Sequence, residues 1–204
     1  MSRILHLYTL SYPFGQGEGF IENELHYLAR RFENVLIHPW NFSKEVPRKV
    51  PDNVFVKFIE PSRTISFPKR LRMILPYLSK SSFRKNWRYE LAHAGRLLSM
   101  ADALKESRSS VDSVHYSYWL SDWATVLGLV HAEDPRFKYQ ARAHGFDVYD
   151  ERQLYGEHLY RDIQIKGLQK LYPISDLAKT YLMERHDGLD AEVQHLGTID
   201  HGMV

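Results

Sequence analysis

The chain has 204 residues, 44% of them hydrophobic and 25% charged, with a net charge of +2 and no cysteine. That is enough chain for one large domain or two small ones, in proportions ordinary for a globular protein. The composition excludes a disulfide framework, a zinc–thiolate site and a thiol nucleophile; no apolar run reaches the ~18 residues of a membrane span, no basic-then-apolar leader precedes Ile4, and a reducing cytoplasm fits.

Residues 4–10 (ILHLYTL) read as a buried strand. A glycine loop follows, Gly15-Gln16-Gly17-Glu18-Gly19, and then a helix with Ile21, Leu25 and Leu28 on one face. Glycines at a first strand-to-helix junction let backbone N–H groups approach an anion, and in an open α/β sheet ligands bind beyond the carboxyl ends of the strands. The same glycines also suit a plain turn. The spacing is GxGxG, with Phe20 where GxGxxG has its third glycine, and the second strand (34–39) runs into Trp40-Asn41 with no acid to hold a ribose. NAD is therefore disfavoured, and the absence of GxxxxGK[ST] excludes a P-loop.

Strands are also expected at 54–59, 111–116, 137–143, 170–173 and 191–196. Pro68 is placed to open a helix with Leu71, Ile74, Leu75 and Leu78 facing inward, which Pro76 must kink or restart. A longer helix presents Trp87, Leu91, Ala94, Leu98 and Ala101 at helical spacing, and another turns Leu120, Trp123, Ala124 and Leu127 inward. Ser175-Asp176 is a good N-cap for a helix ending near Gly188. Seven strands alternating with helices predict an α/β, Rossmann-like, doubly wound and mostly parallel sheet as a single domain over 1–204.

Two further strand ends carry polar groups. After the fifth strand stand Arg142, His144 and Asp147, able to meet an anion or sugar hydroxyls, or to satisfy a loop internally. After the fourth stand Tyr116, Tyr118 and Trp119, able to stack on a sugar or to cap the core. Ser175 could present helix N–H groups to a ligand as well as cap its helix. No HExxH, Asp-x-Asp or GxSxG motif occurs, so no metal site or hydrolase nucleophile is expected.

Between residues 61 and 89 lie Arg63, Lys69, Arg70, Arg72, Lys80, Arg84, Lys85 and Arg88 with no Asp or Glu among them. That block holds +8; with the whole chain at +2, everything else carries −6. Interleaved with Phe67, Tyr77, Phe83, Trp87 and Tyr89, it suits an anionic membrane, a solvated helix pair or, less well, nucleic acid.

Three stretches together carry a resemblance: residues 12–24, residues 142–149, and Tyr172-Pro173-Ile174-Ser175 with its helix and Val193-Gln194-His195-Leu196-Gly197. In that order they resemble the N-terminal half of a group 1 (family 4) GT-B glycosyltransferase. The resemblance implies an acceptor-side domain of an enzyme that moves a sugar, with retention and without a bound metal, from a UDP- or GDP-sugar to a glycan or lipid-linked acceptor, as in surface polysaccharide biosynthesis. It implies that His144 is the cleft histidine, that Gly15, Gly17, Glu18 and Gly19 approach the donor diphosphate and acceptor, and that Tyr116, Arg142, Asp147 and Ser175 lie beside them. The family's C-terminal donor-binding domain has no counterpart here, so the 204-residue chain is expected to be inactive alone. The basic block is expected to rest on the inner face of the cytoplasmic membrane. The rival expectation is a polyanion- or membrane-binding module without catalysis.

Overall fold

The computed structural model describes residues 3–61, 64–79, 81–107 and 112–196. Six parallel strands form one sheet in the order β3-β2-β1-β4-β5-β6: β1 (Ile4–Thr9), β2 (Asn34–Pro39), β3 (Val54–Val56), β4 (Ser113–Ser117), β5 (Tyr139–Ala143) and β6 (Leu168–Pro173). The order runs outward both ways from the β1/β4 pair, the point where ligands settle in such sheets. The seventh expected strand is not one. Its segment lies along β6 through a single bridge, Leu171 to Ala191, with the Glu192 and Gln194 amides donating to the Leu171 and Pro173 carbonyls. The expected third strand is cut to three residues, and Val111 of the expected fourth lies outside the described residues.

Strand parity sends Leu5 and Leu7 to one face and His6 and Tyr8 to the other. On the first face Leu5, Leu7, Val35 and Ile37 pack under Ile21 and Leu25 of α1 (Phe20–Arg31). On the second, Tyr8, Tyr139, Ala141 and Leu171 meet Leu97 and Leu104 of α3 (Ser81–Ser107) and Leu127 and Val130 of α4 (Asp122–Glu133), where α2 (Phe67–Ile74) numbers the helix before α3. Helices cover both faces, so the fold is Rossmann-like and doubly wound. As Pro76 requires, α2 stops at Ile74 and a 3-10 turn, Leu75–Tyr77, takes over. Leu75 and Trp87, expected on the apolar faces of their helices, are 58% and 38% exposed. The long run between β5 and β6 holds two short helices the periodicity did not signal, α5 (Gly145–Val148) and α6 (Arg161–Lys166). The last helix is α7 (Asp176–Met183).

The second face carries a histidine stack. His6 lies between His38 and His115, ring centroids 5.2 and 4.7 Å away, and Tyr8 Oη meets His115 Nδ1 at 2.8 Å. His38 Nδ1 is 2.7 Å from the Lys57 carbonyl, which can only accept, so that nitrogen carries the proton. Neutral His38 then accepts at Nε2 from His6 Nδ1, 3.0 Å away. Burial holds both rings neutral, pushing His38 down to about 3 and His6 to about 4, with Lys57 adding to the effect on His6. A histidine whose folded pKa lies below its unfolded value of ~6.5 stabilises the protein above that value and loses the contribution as pH falls toward the folded pKa. Between pH 7 and pH 5 the protein is therefore expected to lose about 2 kcal/mol more unfolding free energy than a His38→Gln variant. Parallel urea titrations check this; equal losses in the two proteins would remove the buried ring as the cause.

Candidate active site

The loop after β1, the loop after β4 and the turn after β5 converge at the carboxyl edge of the sheet. The glycine loop is organised from within. Glu18, 3% exposed, turns its carboxylate inward: one oxygen accepts from the Ser11 and Tyr12 amides, each at 2.6 Å, and the other from the Leu10 amide at 3.1 Å and the Trp119 indole N–H at 2.6 Å. The backbone cradle at the end of β1 is thus filled by the chain's own anion. This arrangement fastens the β1 loop to the β4 loop across the switch point. Of the three glycines only Gly15 has a positive φ, +65°, so it alone is required as glycine by its backbone. Gly17 is exposed, with nothing within 4 Å of where a side chain would begin. Arg48 lies alongside, its Nε donating to the Gly15 carbonyl at 3.0 Å and its guanidinium 3.2 Å from Glu22.

His144 follows β5 and is 6% exposed. Its ring sits 4.2 Å from Trp119 and 5.8 Å from Phe20, and stacks on Tyr118 at 5.6 Å. Neither ring nitrogen has a hydrogen-bond partner among the described residues. Asp147 accepts from the His144 amide at 2.5 Å and the Leu120 amide at 2.8 Å, tying the two loops together, while its carboxylate stays 3.8 Å from His144 Nδ1. The backbone carbonyl of Asp147 takes a hydrogen bond from Arg161, a buried cation whose burial lowers it to about 10 despite Asp147.

The remaining sequence candidates disperse. Tyr116 and Arg142 point to the α1 face, beneath the edge rather than onto it. Arg142 Nε donates to Tyr116 Oη at 3.0 Å, and its guanidinium pairs with Glu24 of α1 at 3.2 Å. Parity explains this: Arg142 shares a sheet face with Gln140, which is paired to Tyr116. Ser175 caps α7, accepting from the Ala178 amide at 3.2 Å. In the basic block, Lys69 reaches buried Asp102 at 3.8 Å and Arg70 donates to the Ile65 carbonyl at 2.7 Å. Arg72, Lys85 and Arg88 are exposed; Lys80, Arg63 and the side chain of Arg84 lie outside the described residues. No described cluster of His, Asp and Glu could hold a metal ion, and no described helix is long and apolar enough to cross a membrane.

Sequence reasoning missed a cavity. About 450 Å³ in volume, it opens between α3, the start of α4 and the segment 146–160, and Trp119 and Asp147 form the wall it shares with the His144 site. That volume lies within the ~300–1,000 Å³ of small-molecule sites. On its α3 wall His93 Nε2 is 3.1 Å from Asp122, and His93 Nδ1 is 3.8 Å from Glu90. Burial alone would lower His93; the Asp122 and Glu90 carboxylates outweigh it and raise the ring to about 9, so it is charged at neutral pH. The available signal was Glu90 and His93 three apart on one helix face.

No family model matches the chain, and no curated protein matches it. Among solved structures the chain is similar to a trehalose-6-phosphate synthase, studied with bisubstrate glycomimetics for enzymatic glycosyltransfer with retention: 8% identity, TM-score 0.47, covering 92% of this chain and 48% of that one. It is also similar to Phytolacca americana UGT2, complexed with UDP-2fluoro-glucose and pterostilbene: 14% identity, TM-score 0.49, covering 96% of this chain and 54% of that one. The chain spans about half the length of each of these two solved chains.

Proposed function

We propose that this chain is the acceptor-side half of a GT-B glycosyltransferase that moves a sugar from a UDP- or GDP-sugar to a hydroxyl of a glycan or lipid-linked acceptor, with retention, in surface polysaccharide synthesis. The observation that carries the reading is the imidazole of His144. It is buried, makes no close hydrogen bond at either nitrogen, with Asp147 facing it as the residue it caps (3.8 Å from Nδ1), and packs against Phe20 and Trp119 at the carboxyl edge of the sheet. A buried polar group without a partner calls for a ligand atom or an ordered water to satisfy it. In this reading His144 meets the transferred sugar, and the outer face of Gly15 to Gly17 approaches the diphosphate. Glu18, Asp147 and Arg161 hold the two loops in place. The cavity beside Trp119 receives the acceptor, and closure of a donor-binding domain over the edge orients the hydroxyl and excludes water.

The test is sugar transfer from UDP- and GDP-sugars by the protein together with its donor-binding half. His144→Ala is expected to lower kcat/KM at least ~100-fold, about 2.7 kcal/mol of transition-state stabilisation, read well below the variant's Tm because emptying the ring stack on Trp119 and Tyr118 also lowers stability. The 204-residue chain is expected to transfer nothing by itself. Full activity of the variant, or transfer by the chain alone, would refute the assignment.

A second reading, a polyanion- or membrane-binding module without catalysis, is favoured by one surface: exposed Phe67, Leu75, Trp87 and Tyr89 beside exposed Arg72, Lys85 and Arg88. The transferase reading absorbs that surface as a membrane contact on the cytoplasmic side that brings the protein to lipid-linked acceptors. Each basic residue near an anionic bilayer adds ~1 kcal/mol, so vesicles rich in anionic lipid should bind the chain at low salt and release it at high salt.

A further inference from the structure

The chemistry of the 450 Å³ cavity narrows what can enter it. Among the described residues that line it none is Lys or Arg, while Glu90, Asp122, Asp147 and Glu157 all line it. The carboxylate of Asp147 is taken up by two backbone amides, but Glu90 and Asp122 flank a single imidazolium, leaving that wall with an excess of negative charge. An incoming phosphate or carboxylate would meet like charge, with no Lys or Arg among the described lining residues and the His93 imidazolium already held by two carboxylates.

The same wall holds polar atoms that wait for a partner. Glu90, 4% exposed, is already engaged: its Oε1 accepts from Tyr155 Oη at 2.8 Å and its Oε2 faces His93 Nδ1 at 3.8 Å. Tyr160, 6% exposed, has an unpartnered hydroxyl, and the Nε2 of His158 is unpartnered too. A phenol that can donate or accept and a neutral ring nitrogen match the mixed donors and acceptors of sugar hydroxyls. Trp119, Phe146 and Leu154, which also line the cavity, offer apolar surface, Phe146 and Leu154 being 67% and 77% exposed.

Building on the transferase reading, we infer that this cavity takes an uncharged acceptor unit, hydroxyl-rich on one side and apolar or aromatic on the other, and turns away units that carry a carboxylate or phosphate. Any phosphate of a lipid-linked acceptor then stays outside the cavity, toward the exposed basic residues of α2 and α3. The hydroxyls of the unit lie on Tyr160 and His158 beside the Glu90 and Asp122 carboxylates, and its flank lies on Trp119 and Phe146.

The test is binding alone, read by ¹H–¹⁵N NMR of the labelled chain with p-nitrophenyl β-D-glucopyranoside and with p-nitrophenyl β-D-glucuronide, which differ by one carboxylate. The glucoside is expected to shift the Trp119 indole and the Thr125 and Tyr155 amides, and the glucuronide to bind at least tenfold more weakly. Glu90→Gln should narrow that ratio. Leu154→Arg, at an exposed position that cannot disturb the core, should favour the glucuronide instead. Equal or tighter binding of the glucuronide by the wild type, or no shift at those residues with either compound, would overturn the inference. The two readings fail separately: binding of the glucoside without sugar transfer by the complete protein leaves the cavity assignment standing and refutes the reaction, whereas transfer to anionic acceptor units does the reverse.

Discussion

Replacing Glu18 by Gln is expected to destabilise the protein nearly as much as replacing it by Ala, by ~2–3 kcal/mol in urea unfolding. The usual assumption for an isosteric amide is a mild effect, and the geometry forbids it here. Both carboxylate oxygens accept, one from the Ser11 and Tyr12 amides and the other from the Leu10 amide and the Trp119 indole. Whichever way a glutamine is turned, its NH₂ group faces two N–H donors. Those donors are left without an acceptor where water has little access, at ~1–3 kcal/mol for each buried group so stranded. A glutamate that touched only a ligand would behave differently, with unchanged stability and weaker ligand binding. A loss below ~1 kcal/mol in Glu18→Gln would show that the loop does not depend on its internal anion. The Trp119 indole N–H resonance gives an independent reading, since Glu18→Ala breaks its hydrogen bond outright and Glu18→Gln breaks it in one of the two amide orientations.

That carboxylate marks the boundary of what the sequence could disclose. The strand alternation in ILHLYTL, the apolar face of Ile21 and Leu25, and the proline at position 76 are local signals with local causes, and the elements stand where those signals put them. The glycine loop and His144 were legible as a pair because the carboxyl edge of a parallel sheet gathers whatever follows its strands. Which way a side chain turns at that edge was not legible. Glu18 and Arg142 are both charged residues beside a predicted cleft, yet one folds back to fill the amides that precede it and the other leaves β5 on the α1 face to pair with Glu24. Strand parity contained the second answer, once β5 was known to end at Ala143 and Arg142 to share a face with Tyr116. Of the cavity only the Glu90 and His93 spacing on α3 was legible. Its walls come from residues 89–93, 119–125 and 146–164, and their meeting depends on α6, a six-residue helix too short to show periodicity.

The placement of α6 sets the largest single effect expected of any substitution considered. Gly128 lies inside α4, where alanine would ordinarily stabilise the helix by ~1 kcal/mol. The opposite is expected. A Cβ at position 128 would lie 2.1 Å from the carbonyl oxygen of Ile163 and 2.8 Å from its carbonyl carbon. Those are backbone atoms of α6, which cannot rotate aside as a side chain can, so α4 and α6 must separate. Separation releases what α6 holds: the Arg161 hydrogen bonds to the Leu120 and Asp147 carbonyls, and the Gln164 amide bonded to the Ser121 carbonyl and Thr125 hydroxyl. Gly128→Ala should therefore lower stability by ~3 kcal/mol or more, a fall of roughly 6–12 °C in Tm for a domain of this size. Gly17→Ala is the matched control, because nothing lies within 4 Å of its added atom and its backbone is not left-handed. Its Tm should stay close to that of the wild type, as for surface substitutions within ~0.5 kcal/mol. Because Asp147 and Leu120 are the groups set loose, the Gly128 variant should also lose glucoside binding in the cavity well below its melting temperature. A Gly128→Ala protein as stable as the wild type would mean that α4 and α6 are not in backbone contact, and the cavity floor would have to be rebuilt from other residues.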